Sequence, residues 1–323
     1  MGSRICPFFG LPPLHIDATI FHIGDHDFFL RPIDSGGPVS STAQASSKLN
    51  REQIHSLRTS LPPQAATLLP LDDTFLKTCR TFLIDTIAIF KLRVTALVVM
   101  TAWAGYYLGA MQSRIDSFNP TMWNTLIGVA LVSCGASVLN QVFERRTDAL
   151  MLRTAQRPLA AGRLGLGYGV AIGMATIVSG SLWLAITTNP ITGTLTLLTA
   201  VMYVGIYTPL KRYTTLATFI GAFPGALPPL IGWTAARGSI EWPAVALFAI
   251  LFVWQFPHFM AIGWLYREDY GRAGIRVLPV VQPDGWSTAI EALVYATLMI
   301  PISLVPYYLH IAGRAYWVAA MLL

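Results

Sequence analysis

Three oxygen-bearing side chains recur at four-residue intervals in the segment NQVFERRTD, residues 140 to 148. Asn140, Glu144 and Asp148 occupy positions i, i+4 and i+8, so on a helix they lie along one face. Two carboxylates and an amide in this arrangement form a hard oxygen site suited to Mg²⁺, which takes its remaining ligands from water and phosphate. The alternative is an interfacial network in which the two acids pair with the arginines that follow.

Basic side chains come next. Arg153 and Arg157 stand four residues apart in MLRTAQRPLAAG, and Lys211 and Arg212 follow a later apolar run in YTPLKRY. Guanidinium groups bind phosphate oxygens through paired hydrogen bonds, and lysines add point charge. The alternative is the ordinary enrichment of Lys and Arg in cytoplasmic loops. Acids that could bind a metal and bases that could bind an anion occur together here. This combination indicates a phosphate-containing ligand more specifically than the acids or the bases do alone.

A second polar group lies in WQFPHFMAIGWLYREDYGRAG, residues 254 to 274. His258 and Asp269 are eleven residues apart, about three helical turns, and share a face if the helix continues past Pro257. Glu268 and Asp269 then form a second acidic point able to hold another metal ion. Because His258 lies inside an apolar span, the sequence favours a ligand or substrate contact over a structural role, which remains the alternative.

The composition indicates what must position these groups. Of 323 residues, 54% are hydrophobic and 12% charged, against about 25% charged in a soluble domain, so we predict a protein of the lipid bilayer. The net charge of +6 does not indicate nucleic acid, because Lys and Arg cluster in the loops between apolar runs. Three widely spaced cysteines, Cys6, Cys79 and Cys134, predict neither a disulfide framework nor a zinc site.

Apolar runs of membrane-spanning size predict an all-α, polytopic transmembrane helix bundle. Seven runs and the start of an eighth are expected at about 84–110, 123–143, 165–187, 191–209, 215–235, 242–264, 287–309 and from 315. The segment GAFPGALPPLIGW is expected to break the fifth of them through its glycines and prolines. Because the eighth run stops at residue 323, we expect the membrane domain, 76–323, to be truncated at its C-terminus.

Residues 1–75 differ from the rest and are expected to form a disordered extension, because they are rich in Ser, Pro and Gly and have no periodic apolar face. A metal site drawn from their acids and histidines is the less favoured interpretation; it would use His15, Asp17, His22, Asp25, His26 and Asp27.

The loops after spans two, four and six carry most of the Lys and Arg between spans. By the positive-inside rule these loops and the N-terminus are cytoplasmic, which places every candidate motif on one side.

The order of these motifs resembles a known family. The run N-x3-E-x3-D-x2-M-x-R-T-x2-R-P-L, followed by YTPLKR, GALPPLIGW, WQFPHF and REDYGRAGIRVLPVV, is similar to the protohaem IX farnesyltransferases, or haem O synthases, a branch of the UbiA-type intramembrane prenyltransferases. The resemblance covers roughly residues 88 to 310. It implies nine helices around a central cavity, of which seven to eight lie in this chain.

The resemblance also implies an activity: transfer of farnesyl from farnesyl diphosphate to haem b with Mg²⁺ in the bacterial cytoplasmic (inner) membrane, upstream of haem A synthase. Together with the patterns above, it assigns catalysis to Asn140, Glu144, Asp148 and Asp269. The expected metal ligands are Asn140, Glu144, Asp148, Glu268 and Asp269. Diphosphate binding is assigned to Lys91, Arg153, Arg157, Lys211 and Arg212, and haem contact to His258.

This chain departs from the family pattern at three positions. Glu144 and Arg146 stand where the family usually has Asp, and Leu92 where it more often has Pro. Glu can still bind Mg²⁺, with a longer reach, whereas Arg146 removes a potential ligand. Two other functions are kept as alternatives: prenyl transfer to a quinone precursor or chlorophyll-type acceptor, and non-catalytic haem binding or transport.

Overall fold

The computed structural model describes residues 73–322, and the regular secondary structure in this part of the chain is entirely helical, without strands. Its helices are α1 Asp73–Ile89, α2 Leu92–Ser113, α3 Pro120–Asp148, α4 Leu166–Thr187, α5 Pro190–Val201, α6 Thr208–Leu210, α7 Ala217–Arg237, α8 Trp242–Leu265, α9 Arg267–Arg272, α10 Leu278–Val281, α11 Trp286–Tyr308 and α12 Arg314–Leu322, with a π-helical segment, Met202–Tyr207, joining α5 to α6. The predicted all-α bundle is confirmed. The expected extension, 1–75, falls outside the described part except for residues 73–75, which begin α1.

Seven helical segments in the described residues are long and apolar enough to cross a membrane: α2, α3, α4, Pro190–Leu210, α7, α8 and α11. Large apolar side chains such as Leu97, Met100 and Ile186 are exposed on their outer faces. Exposed apolar surface on this scale has lipid as its natural environment. The chain is an integral membrane protein.

The first predicted span, 84–110, is wrong as a single helix. Helix α1 ends at Ile89, and Lys91 takes a left-handed backbone conformation with φ of 48° before α2 begins at Leu92. A residue other than glycine rarely adopts this conformation. The pattern of hydrophobic residues does not predict this break, because hydrophobic residues flank it on both sides. Its effect is to place the Lys91 side chain against α3.

The predicted break in the fifth span is also wrong, because α7 runs without interruption through Pro224, Pro228 and Pro229. Prolines in a membrane helix are tolerated where neighbouring helices satisfy the backbone groups that they disturb. Helix α8 packs on this part of α7, and its Gln255 Nε2 donates to the carbonyl oxygen of Ala222 over 3.0 Å, although none of the three prolines removes the helical donor of that carbonyl. This part of α7 is buried among its neighbours.

Glycines set the distance between α2 and α7, which pack extensively on each other. Helix α2 packs on α7, and a Cβ added at Gly105 would lie 1.9 Å from the carbonyl oxygen of Pro229. On the facing helix, a Cβ at Gly232 would lie 1.8 Å from the carbonyl oxygen of Ala102. Close backbone approach at small residues is the usual basis of helix association in membranes.

We therefore expect Gly232→Ala to lower the free energy of unfolding by about 1–3 kcal/mol, because the added methyl forces α2 and α7 apart. Gly167→Ala in α4 is the matched control, since a Cβ there meets no atom within 4 Å. Thermal unfolding of the two purified variants in the same detergent measures the difference. Equal melting temperatures would contradict the close packing of α2 and α7.

Candidate active site

The last turns of α3 carry the three predicted oxygen ligands on a buried face. Asn140, Glu144 and Asp148 have exposed fractions of 2%, 5% and 1%. The spacing prediction of a shared helical face therefore agrees with the structure. Burying two carboxylates is costly unless charged or polar groups compensate them, so their partners decide what this face can bind.

Each of these side chains contacts a base, and the three bases come from different segments. Lys91 Nζ donates to Asn140 Oδ1 over 3.3 Å, and Lys211 forms an ion pair with Glu144. Arg157 Nη1 lies 3.0 Å and 3.2 Å from the two carboxylate oxygens of Asp148. The acids and bases thus alternate within one buried cluster. A ligand that carries both a cation and an anionic group matches this pattern.

The π-helical segment orients the amide of Asn140. Thr208 directly follows this segment; its hydroxyl donates to the carbonyl oxygen of Tyr203 over 2.8 Å and accepts from Asn140 Nδ2 over 3.1 Å. The amide oxygen is thereby left to face Lys91. Single π turns often occur at functional sites, but nothing in the sequence pattern marks this one, so the sequence does not predict the role of Thr208.

Lys211 lies in a setting that disfavours its charge. Burial, followed by repulsion from Lys91 and Arg212, lowers the pKa of Lys211 to about 7. Its ammonium also lies 5.5 Å from the centre of the Tyr207 ring. An added anion would favour the charged form, so this lysine is suited to a phosphate. Arg212 is exposed and donates to the carbonyl oxygen of Phe143, 3.3 Å away, rather than to the acids.

The segment between α3 and α4 is fixed at both ends. At its start, the Thr154 hydroxyl donates to the backbone oxygen of Asp148 over 2.9 Å. At its end, Arg163 forms a two-pronged ion pair with Asp85 of α1, with nitrogen to oxygen distances of 2.9 Å and 3.0 Å. No sequence pattern indicates the Asp85 contact, because 78 residues separate the partners. Both contacts restrain the segment that carries Arg153 and Arg157.

The second acidic motif is not continuous with His258. Helix α8 passes Pro257 as expected, but it ends at Leu265, and α9 starts anew at Arg267 after Tyr266. The expectation of one helix joining His258 and Asp269 is therefore wrong. The helix ends here because Tyr266, with φ of −109° and ψ of 23°, leaves helical geometry.

A cavity of about 410 Å³ opens beside the second motif. Its lining combines apolar and charged side chains: Leu152, Leu265, Tyr266, Arg267, Glu268, Asp269 and Arg272. Asp269 is paired with Arg272 of the same helix.

His258 lies elsewhere, on the exposed surface of α8, and its ring is stacked on that of Trp254 with a centroid distance of 5.0 Å and an interplanar angle of 16°. The structure thus brings Lys91, Arg157 and Lys211 to the α3 acids and leaves His258 apart.

The donor chemistry of the α3 face fits Mg²⁺. Within residues 73–322, no three His, Cys, Asp or Glu side chains are clustered as a metal site. The face instead combines two carboxylates with one amide, all of them oxygen donors. Mg²⁺ is commonly bound by one or two carboxylates and completes its shell with water and phosphate oxygens. The face therefore offers oxygen donors of the type that Mg²⁺ takes when it is shared with a diphosphate.

Comparison with known proteins identifies the family of this chain. Residues 97–323 match the profile of the UbiA prenyltransferase family. The protohaem IX farnesyltransferase of Koribacter versatilis is 52% identical over 233 residues, covering 72% of this chain and 75% of the relative. That of Solibacter usitatus is 44% identical over 249 residues, covering 74% and 84%.

Solved structures agree at the level of the fold. A digeranylgeranylglyceryl phosphate synthase has a TM-score of 0.62 at 18% identity, covering 74% of this chain and 82% of its own. A UbiA homologue from Archaeoglobus fulgidus, bound to DMAPP and Mg²⁺, has a TM-score of 0.58 at 15% identity with the same coverage. The chain belongs to the UbiA prenyltransferase family, in its protohaem IX farnesyltransferase branch.

Proposed function

We propose that this chain transfers the farnesyl group of farnesyl diphosphate to a vinyl group of haem b, with addition of water, to give haem O and diphosphate. The observation that carries the proposal is the buried α3 face, where Asn140, Glu144 and Asp148 alternate with bases. The names of relatives up to 52% identical support haem b as the acceptor.

Asn140, Glu144 and Asp148 are the proposed ligands of Mg²⁺, with Glu268 and Asp269 as a second acidic set. The Mg²⁺ that the Archaeoglobus fulgidus homologue binds with DMAPP supports this choice of cofactor. When bound, Mg²⁺ would neutralise the diphosphate and so make it a better leaving group. The buried position of the α3 set restricts access by water.

The bases of this cluster bind the diphosphate in the proposed mechanism. Lys91, Arg157 and Lys211 already face the acids, so an incoming diphosphate can share them. Arg153 and Arg212 add positive charge from the loops on either side. Charge that develops on the departing oxygen meets fixed donors, which stabilises the transition state without reorganisation.

The reaction breaks the bond between the farnesyl carbon and the diphosphate oxygen, and diphosphate leaves with the electron pair. The vinyl group of haem b supplies the electrons of the new carbon–carbon bond. Water adds to the cation formed on the former vinyl group and loses a proton, giving a hydroxyl. We assign His258 to contact with haem, because its ring lies on the exposed surface of α8 within the membrane span.

The location follows from the charge of the loops. The loops that carry Arg153, Lys211 and Asp269 are rich in Lys and Arg, and we place them, with the N-terminus, on the cytoplasmic side of a bacterial cytoplasmic membrane. Residues 76–323 form the membrane domain of this proposal. Its product is a substrate for haem A synthase, which we propose as the downstream enzyme.

The test is mass spectrometry of haem extracted from membranes that contain this chain, after incubation with haem b, farnesyl diphosphate and Mg²⁺. We expect a new haem whose mass has increased by one farnesyl group and one hydroxyl. A parallel incubation with a chelator should contain none, because the diphosphate is then not neutralised. A binding or transport protein would leave the haem mass unchanged, and that result contradicts the proposal.

A further inference from the structure

Arg153 lies against two aromatic rings near the cavity of the second motif. Its guanidinium carbon is 4.7 Å from the centre of the Tyr266 ring and 5.9 Å from that of Tyr270. Its Nη2 also donates to the Tyr270 hydroxyl over 3.4 Å. A guanidinium within about 6 Å of an aromatic face is attracted by the electron-rich face of the ring. The two tyrosines therefore favour one orientation of a long and flexible side chain.

The backbone around this contact is also fixed. Met151, two residues before Arg153, is packed in one apolar cluster with Ala273 and Ile275, which follow α9. Beyond that cluster, Arg276 N donates to the carbonyl oxygen of Lys211 over 2.9 Å. The loop after α3, the loop after α6 and the segment after α9 are thereby joined near the α3 acids.

The contact leaves part of the guanidinium for a ligand. Arg153 Nε is buried and has no hydrogen-bond partner among the described residues. A buried charged donor without a partner is costly. The rings of Tyr266 and Tyr270 offset part of this cost without using that donor. An anion that accepts from Nε would satisfy it.

We propose that Tyr266 and Tyr270 are positioning residues for the known family reaction: they hold Arg153 in the orientation in which it binds the diphosphate of the prenyl substrate. This inference rests on the proposed function, because it assumes that Arg153 meets a diphosphate. Neither tyrosine touches the reacting atoms in this scheme. They act through Arg153 and link the first basic loop to the second acidic motif.

Steady-state kinetics of Tyr266→Leu, with each substrate varied separately, tests the inference. We expect the KM for farnesyl diphosphate to rise roughly tenfold, the equivalent of one cation–π contact, while the KM for haem b stays unchanged. Tyr266→Phe, which retains the aromatic face, should restore most of the affinity. Tyr308→Leu is the control for loss of a tyrosine ring, because Tyr308 is exposed at the far end of α11.

A double variant separates positioning from a general effect on the fold. In an Arg153→Ala background, Tyr266→Leu should have no further effect on the KM for farnesyl diphosphate, because the side chain it orients is gone. Additive losses, or an equal rise in both KM values, would overturn the positioning role. An active wild type with Tyr266→Leu unaffected overturns this inference alone, whereas a wild type that makes no farnesylated haem overturns the proposed function with it.

Discussion

Replacing Asp148 with Asn should reduce farnesyl transfer by about 10³-fold or more while leaving the folded protein in the membrane. The substitution preserves the shape of the side chain but removes its negative charge. The backbone oxygen of Asp148, which accepts from Thr154, is unchanged, so the loop after α3 keeps its anchor. The reaction would lose a proposed metal ligand, and Arg157 would lose the anion that it contacts.

Asp116→Asn is the matched control for this substitution. Asp116 is exposed in the loop that follows α2, whereas the acids of α3 lie near the start of α2. Its carboxylate accepts from the backbone nitrogen of Phe118 over 2.9 Å, and the amide oxygen of an asparagine can accept the same bond. Product formation, measured by haem mass spectrometry at equal protein levels, should be normal in this variant. Comparable activity in Asp148→Asn and Asp116→Asn would rule out a metal role for Asp148.

Lys211→Met should both inactivate and destabilise the protein. It leaves the buried Glu144 carboxylate without its ion-pair partner, and breaking a buried pair from one side costs about 3–5 kcal/mol. Because the surroundings also disfavour the charge of Lys211, we expect a loss at the lower end of this range. It also removes a proposed diphosphate contact. The free energy of unfolding in mixed detergent micelles measures the first effect, and haem mass spectrometry measures the second.

The double variant Glu144→Gln with Lys211→Met separates these two effects. Because it removes both charges at nearly constant volume, we expect it to recover most of the lost stability. Activity should remain absent, since the proposed metal ligand and the proposed diphosphate contact are both missing. A double variant as unstable as the single one would show that Lys211 stabilises the protein through something other than Glu144.

The acidic face could be predicted because its members belong to one helix. Asn140, Glu144 and Asp148 share a face by helical periodicity alone, and α3 is long enough to hold them all. Partners from distant segments have no such signal. Thr208, which accepts from Asn140, follows six π-helical residues, and Lys91, which donates to Asn140, has a left-handed backbone. Helical periodicity predicts neither conformation.

The breaks and continuities of the helices were the least predictable part of the fold. The apolar pattern predicts one span over 84–110, because the left-handed backbone of Lys91 does not alter the hydropathy of the sequence around it. Conversely, the prolines of α7 predict a break that α2 and α8 prevent by packing closely on this helix. In both cases tertiary contacts decide the local conformation.

The length of α3 determines the depth at which the chemistry takes place. Its 29 residues span roughly 43 Å, whereas the 22 residues of α2 span roughly 33 Å, close to the hydrocarbon thickness of about 30 Å. Contacts of Lys91 with Asn140 and of Ile89 with Gln141 align the start of α2 with Asn140, so the last eight or so residues of α3 extend beyond the hydrocarbon. The charged head of a prenyl diphosphate can therefore stay at headgroup level while its tail lies in the bilayer. An amphiphilic substrate can then enter laterally from the membrane leaflet, and its charged group does not have to cross the hydrocarbon core.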